Sequence, residues 1–208
     1  MTQLPSQRGF FGLGAERISK AMNLGNLMRS AHAFGASFVF TVAASHSMRQ
    51  AALADTSKSP DHVPYYPWED VDDIVLPKGC QLVGIELIDG AVDLPSFHHP
   101  LQAAYVLGPE RGSLSEPLLA RCDHIIKIPT RFCLNVQIAG SIVMYDRLRS
   151  LGSFAPRPPL PGGPVEPFTP DHVHGAPMNR SAKKDRSAKK DRSAKKLAVR
   201  DQTPPKNK

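Results

Sequence analysis

The order of apolar and polar residues along the chain predicts short strands alternating with helices. Phe10-Phe-Gly-Leu-Gly14 is apolar and glycine-rich and reads as a first short strand. Residues 24–34 set Leu24, Leu27, Met28, Ala31 and Phe34 on one helical face, and Gly35 supplies a natural C-terminal stop. Phe38-Val-Phe-Thr-Val42 is β-branched and aromatic, hence a strand, whereas the Pro, Asp, His and Tyr content of 57–67 predicts a loop. The runs 82–87, 103–107 and 124–128 are short and apolar, as in parallel strands buried on both faces. Residues 134–151 return to a helical period, with Val136, Ala139, Val143 and Leu148 among the apolar positions. This alternation predicts an α/β domain with a mostly parallel sheet and helices on both faces.

The pattern stops near Leu151. Seven prolines follow between Pro156 and Pro170, together with Gly162-Gly163, which predicts a linker that packs as neither helix nor sheet. A six-residue repeat comes next: Arg180-Ser-Ala-Lys-Lys-Asp185 recurs at 186–191 and again, in part, at 192–196. The expected organisation is a folded domain over 1–151, a linker over 152–179 and a disordered basic tail over 180–208.

Charge changes the picture only when it is divided in the same way. The chain of 208 residues carries a formal charge of +7. Residues 180–208 hold twelve Lys and Arg against three Asp, while the rest hold fourteen basic and sixteen acidic side chains. The excess positive charge therefore belongs to the tail, which predicts an arm for a polyanion attached to a near-neutral domain. No apolar run reaches the length of a membrane span, and residues 1–8 lack the order of a secretory signal. Three cysteines without CxxC spacing argue against a disulfide framework and a zinc site, and a cytoplasmic location is expected. His98, His99, His172 and His174 lack a second ligand pair at sensible spacing and read as surface residues.

Three clusters carry candidate chemistry. In Asn23-Leu-Gly-Asn-Leu-Met-Arg29, Asn23 reads either as a helix cap or as part of a site where a helix N-terminus and Arg29 face an anion. Leu107-Gly-Pro-Glu-Arg-Gly-Ser-Leu-Ser115 follows a buried strand, and its glycines permit close approach to a ligand beside the Glu110 carboxylate. It has neither the Gly-Lys-Ser/Thr of a P-loop nor the Gly-x-Gly-x-x-Gly of a dinucleotide site, which counts against a nucleotide such as NAD. In Ile128-Pro-Thr-Arg-Phe-Cys-Leu-Asn-Val136, Asn135 is either a cap of the long helix or an amide needing partners in an apolar setting. Cys133 reads as a small apolar residue, since no neighbouring His would activate it.

Taken together and in this order, the clusters resemble the SpoU, or TrmH-like, branch of the SPOUT methyltransferases. Asn23, Gly25 and Arg29 match its Asn-x-Gly-x-x-x-Arg motif, residues 108–115 look like Gly-x-Glu-x-x-Gly-Leu-Ser, and Ile128-Pro129 with Leu134-Asn135-Val136 looks like the third. The loop between Pro129 and Leu134 is shorter than the family pattern and lacks its glycine, and Cys133 stands where Ser is common. The resemblance spans roughly residues 10–150. It implies a C-terminal trefoil knot, unusual among folds, that binds S-adenosylmethionine without a metal. The cofactor residues it implies are Leu107, Gly108, Gly112, Ile128, Pro129, Leu134 and Val136. It implies a homodimer with catalytic residues Asn23, Arg29, Glu110 and Asn135, and methyl transfer to a ribose 2′-hydroxyl of tRNA or rRNA. Base methylation, and a non-catalytic RNA-binding or assembly factor that kept the fold, are the alternatives. The basic tail is expected to supply the RNA affinity that a near-neutral domain lacks.

Overall fold

In a computed structural model that describes residues 9–45 and 59–163, seven strands form one sheet. They are β1 (Phe10–Glu16), β2 (Phe38–Val42), β3 (Tyr65–Trp68), β4 (Gln81–Ile85), β5 (Val92–Asp93), β6 (Gln102–Leu107) and β7 (His124–Lys127). The strand order is β3-β2-β1-β6-β4-β7-β5, and every neighbouring pair is parallel. The helices are α1 (Ala21–Phe34), α2 (Glu116–Arg121) and α3 (Val136–Leu151).

A parallel strand covered on both faces sends successive side chains into two different cores. Phe11, Leu13 and Ala15 of β1 and Ala103, Tyr105 and Leu107 of β6 pack with α1 and α3 through Leu24, Leu27, Met28, Val143 and Met144. Ala104 and Val106 of β6 point the other way, with Phe38, Phe40 and Val42 of β2, onto Leu114 and Leu118 around α2. On that face the middle of β1 is bare, with Gly12 and Gly14 between Phe10 and Glu16. A Cβ at Gly12 would lie 2.2 Å from the Phe38 ring, and one at Gly14 would lie 2.3 Å from the Phe40 ring. The two glycines of this strand are the space into which two aromatic rings fit.

The first strand, the Phe38–Val42 strand and the parallel order agree with the sequence pattern. The loop expected over 57–67 does not hold throughout, because Tyr65–Trp68 forms β3 at the sheet edge. Proline is compatible with an edge strand because one side of its backbone has no neighbour to bond. α1 starts at Ala21, with Lys20 as its N-cap residue, so Asn23 is not a cap. Gly35 closes α1 with left-handed backbone, φ 76°. Residues 152–163 contain no helix or strand beyond the end of α3, and the tail repeat lies outside the described residues.

One strong tertiary lock was invisible in the apolar pattern. Arg147 of α3 is 1% exposed and donates to the carbonyls of Phe10, Pro100 and Leu101 and to the Tyr105 hydroxyl. Its guanidinium also lies 5.3 Å from the Phe11 ring centroid. Beside it His99 is also buried, correcting its reading as a surface residue: Nδ1 meets the Tyr105 hydroxyl at 2.6 Å and Nε2 meets Asp146 at 3.0 Å. The Tyr105 hydroxyl accepts from Arg147 and donates to His99 Nδ1, so the imidazole proton sits on Nε2 and faces Asp146. The last helix is thereby tied to the starting edge of the first strand.

Candidate active site

All strands run the same way, so their C-terminal ends share one edge of the sheet, where open α/β sheets bind ligands. The loop 108–115 lies there and is held by carboxylates from two directions. Glu16, at the end of β1 and 2% exposed, accepts from Ser115 N–H at 2.8 Å. Glu86, just after β4, accepts from Leu114 N–H at 2.7 Å. Ser115 in turn caps α2, accepting from Leu118 N–H at 3.4 Å. Arg17 donates to the Ser113 carbonyl at 2.7 Å. Neither Glu16 nor Glu86 stood out in the sequence, because each sits at the end of an apolar run and looks like the polar residue that closes it.

Glu110 reaches out of this loop to the beginning of α1. It accepts four hydrogen bonds: from Ser19 N–H and hydroxyl at 2.9 Å each, Lys20 N–H at 3.0 Å and the Asn23 side-chain amide at 3.0 Å. Burial acts to raise its pKa, but hydrogen bonds from Ser19 and Asn23 outweigh it and pull the group down to about 2. The start of α1 therefore already has its anion, and it is a protein carboxylate. The anion that the sequence offered for this helix end is thus Glu110, with Arg29 taking no part in holding it.

Asn135 donates to Asn23 Oδ1 at 3.5 Å and accepts from Gln137 N–H at 2.9 Å, capping α3. It is exposed, so the picture of an amide seeking partners in an apolar setting is also corrected. Asn23, Glu110 and Asn135 thus meet at one point although 112 residues separate the two asparagines. Arg29 does not join them. It is exposed, makes no hydrogen bond or ion pair to another described residue, and lies about 9 Å further along α1 on a different face from buried Asn23.

Next to this cluster a pocket of about 110 Å³ opens at the ends of β4, β6 and β7. Leu107, Gly108, Gly112, Ile128, Leu134 and Val136 line it, as do Ile85, Glu86, Lys127 and Cys133. Six of the seven residues implied for the cofactor are there. Pro129 is not, and is exposed. Cys133 is exposed at the pocket wall rather than packed as a small apolar residue. The apolar wall suits a heterocycle, and Lys127, Glu86 and free backbone groups suit the polar parts of a nucleoside-like ligand. A second hollow, lined by Arg17, Ser19, Lys20, Pro109, Glu110 and Arg111, adjoins Glu110 on its other side. Its three cations are exposed, and Arg17 also lies 3.6 Å from Glu16. Among the described residues no three His, Cys, Asp or Glu side chains converge as a metal site, and no helix is long and apolar enough to cross a membrane.

A parallel α/β sheet with a loop-built pocket at its C-terminal edge defines an open-sheet α/β domain. More particularly, residues 11–145 match the SpoU rRNA Methylase family, and the chain belongs to it. It is 27% identical over 140 residues to the tRNA (guanosine(18)-2′-O)-methyltransferase of Escherichia coli K12, a match covering 64% of this chain and 61% of that protein. An uncharacterised tRNA/rRNA methyltransferase of Archaeoglobus fulgidus is 28% identical over 149 residues, covering 68% and 65%. The rRNA methyltransferase of Sinorhizobium meliloti superposes with a TM-score of 0.62 at 23% identity, over 73% of this chain and 60% of that one. The SpoU methyltransferase AviRb of Streptomyces viridochromogenes, in complex with AdoMet, gives 0.58 at 22% identity, over 70% and 59%. At these identities the two structures establish the shared fold. The chain spans about three fifths of the length of these relatives, the archaeal protein apart.

Proposed function

We propose that the chain transfers a methyl group from S-adenosylmethionine to a ribose 2′-hydroxyl of tRNA or rRNA. The observation that carries this reading is the junction of Asn23, Glu110 and Asn135 beside a pocket lined by six residues implied for the cofactor. Bound there, S-adenosylmethionine supplies a methyl group activated as a sulfonium.

The chain's own residues divide the remaining work. Glu110 is not the base: with a pKa of about 2, one oxygen committed to Ser19 and the other to Lys20 and Asn23, it fixes Asn23 in place. Asn23 and Asn135 present amides that orient the ribose, which serves the alignment on which in-line transfer depends. Arg29 positions phosphate and hydroxyl rather than taking the proton, because a guanidinium stays protonated and a bound phosphate favours its charge further; the proton released on methylation of the oxygen passes to water. Its place on the outer face of α1 supports a homodimer in which it completes the site of the second subunit. Met22 on α1 and Ile138 and Tyr145 on α3 are exposed apolar side chains on the two helices that pack together, as a dimer face requires. The knot implied by the resemblance and a cytoplasmic location belong to the same proposal. Arg17, Lys20 and Arg111 receive the RNA backbone, with residues 180–208 as an additional basic arm.

The deciding experiment incubates the protein with methyl-labelled S-adenosylmethionine and total tRNA or rRNA, followed by digestion to nucleosides. Label in 2′-O-methyl nucleosides supports the reading, and label in base-methylated nucleosides replaces it with base methylation. Cofactor binding without any transfer across both RNA pools would favour an RNA-binding or assembly factor.

A further inference from the structure

Glu86 enters the pocket from a position with a definite relation to the loop it faces. β4 and β6 are adjacent and parallel, with Ile85 paired to Leu107, so Glu86 and Gly108 stand side by side where the two strands end. A Cβ at Gly108 would approach Glu86 Oε2 to 3.2 Å and Leu114 N to 3.2 Å, so the absent side chain leaves room for the carboxylate. Dinucleotide-binding sheets use the same pair of devices. A glycine at one strand end lets a ligand come close, and an acid at the end of the neighbouring parallel strand takes ribose hydroxyls. This chain lacks the sequence fingerprint of that fold, yet the sheet edge carries both devices.

The hydrogen-bond inventory agrees. Oε2 accepts from Leu114 N–H at 2.7 Å and Oε1 from Leu87 N–H at 2.9 Å. Two oxygens offer about four acceptor directions, so each keeps one for a ligand after these bonds. The two backbone donors also fix the carboxylate in a single orientation. Among the pocket-lining residues Glu86 is the one carboxylate, Lys127 brings donors only, and the Thr130 hydroxyl is already turned to the carbonyls of Ile128 and Phe132. A vicinal diol brings two donors and needs a pair of acceptors.

We infer that Glu86 is a cofactor-positioning residue that holds the ribose hydroxyls of an S-adenosyl ligand in the pocket at the ends of β4, β6 and β7. This rests on the proposal that the pocket takes S-adenosylmethionine. It assigns the ribose to the β4 side and leaves the apolar wall of Leu107, Ile128, Leu134 and Val136 to the adenine.

The test is calorimetric and needs no turnover. Wild-type protein and the Glu86→Gln and Glu86→Ala variants are titrated with S-adenosylhomocysteine, with its 2′-deoxy and 3′-deoxy analogues, and with 5′-methylthioadenosine. Wild type should prefer the full ribose by roughly ten- to hundredfold, the loss that follows when a bond to a charged partner is removed. In the variants that preference should shrink to within about threefold, a change in ratio that a purely structural role for Glu86 would not produce. The substitution should weaken 5′-methylthioadenosine as much as S-adenosylhomocysteine. Equal affinity of wild type for ribose and deoxyribose forms would overturn the inference, even if both variants failed to fold. So would a folded variant that keeps the full preference. A loss seen with S-adenosylhomocysteine but not with 5′-methylthioadenosine would place Glu86 on the amino-acid end and overturn it too. If wild type bound none of the four compounds, the methyl-transfer reading and this inference would fall together, an outcome distinct from the other three.

Discussion

The Glu110 carboxylate accepts the Asn23 side-chain amide at 3.0 Å, joining the pocket loop to the first helix across 87 residues of chain. The same carboxylate takes the backbone N–H groups of Ser19 and Lys20, so one group both ends a helix and aims a side chain. Glu110→Gln should lower stability by about 1 kcal/mol, the usual worth of a helix N-terminal acceptor. It should also reduce methyl transfer far more than cofactor affinity. Because the folded pKa is depressed, this stabilisation is complete above the unfolded value of about 4.3 and is lost as pH falls towards 2. Thermal melts between pH 5 and 2 should therefore decline less steeply in the variant than in wild type.

Arg29 stands apart from the cluster it is proposed to serve, and mixing experiments can locate its site of action. Arg29→Ala and Asn135→Ala should each abolish transfer while leaving S-adenosylhomocysteine binding within about twofold. If each Arg29 completes the other subunit's site, co-refolding equal amounts of the two dead proteins should restore about a quarter of wild-type activity, since half the dimers then carry one intact site. No recovery in a verified heterodimer would return Arg29 to its own subunit.

The three cysteines should separate by reactivity. Burial pushes the Cys80 and Cys122 thiols up to about 11, whereas Cys133 is exposed at the pocket wall. At pH 8 an alkylating reagent should modify Cys133 first, and S-adenosylhomocysteine should slow that reaction in proportion to occupancy. Mass spectrometry of the labelled peptide reads both effects.

Reversing Lys20 or Arg111 to Glu should weaken RNA binding without changing cofactor affinity. If each neutralises one phosphate, each loss should reduce the slope of log affinity against log salt by roughly 1. Binding isotherms at several salt concentrations would show it, and an unaltered slope would take these residues out of the RNA path.

The lock around Arg147 predicts a different signature. Arg147→Met removes the donor that the carbonyls of Phe10, Pro100 and Leu101 share, leaving Leu101 only its bond from Phe10 N–H, and should cost about 3 kcal/mol. Burial holds His99 below the ordinary histidine range, outweighing the pull of Asp146 in the other direction. A lowered folded pKa means that the neutral ring is favoured, so stability is full above about pH 6.5 and declines below it. Denaturant midpoints at pH 7.5 and 5.5 should differ more in wild type than in His99→Gln.

Much of this architecture is legible in the chain. The period of Leu24, Leu27, Met28 and Ala31 and the runs at 38–42 and 103–107 announce their elements, because burial on a fixed face leaves a fixed period. The three clusters at strand ends likewise announce a pocket, and six of the seven implied residues line it. What stayed hidden depends on partners distant in sequence. Arg147 and His99 look like solvated residues until the carbonyls and the hydroxyl that surround them are in place. Glu16 and Glu86 look like strand punctuation until the loop 108–115 folds back over them. The edge strand β3 was masked by Pro67, whose missing N–H matters only on the inner side of a sheet.

The fit of Gly12 and Gly14 under the rings of Phe38 and Phe40 constrains how this sequence can drift. A methyl group at either glycine collides with ring atoms 2.2 to 2.3 Å away, and a smaller residue at 38 or 40 leaves a void over bare backbone. Each change alone is penalised, while a compensating pair preserves the volume. Positions 12 and 38, and likewise 14 and 40, should therefore exchange bulk in concert among descendants of this chain, a coupled trait visible as paired substitutions between two strands that touch.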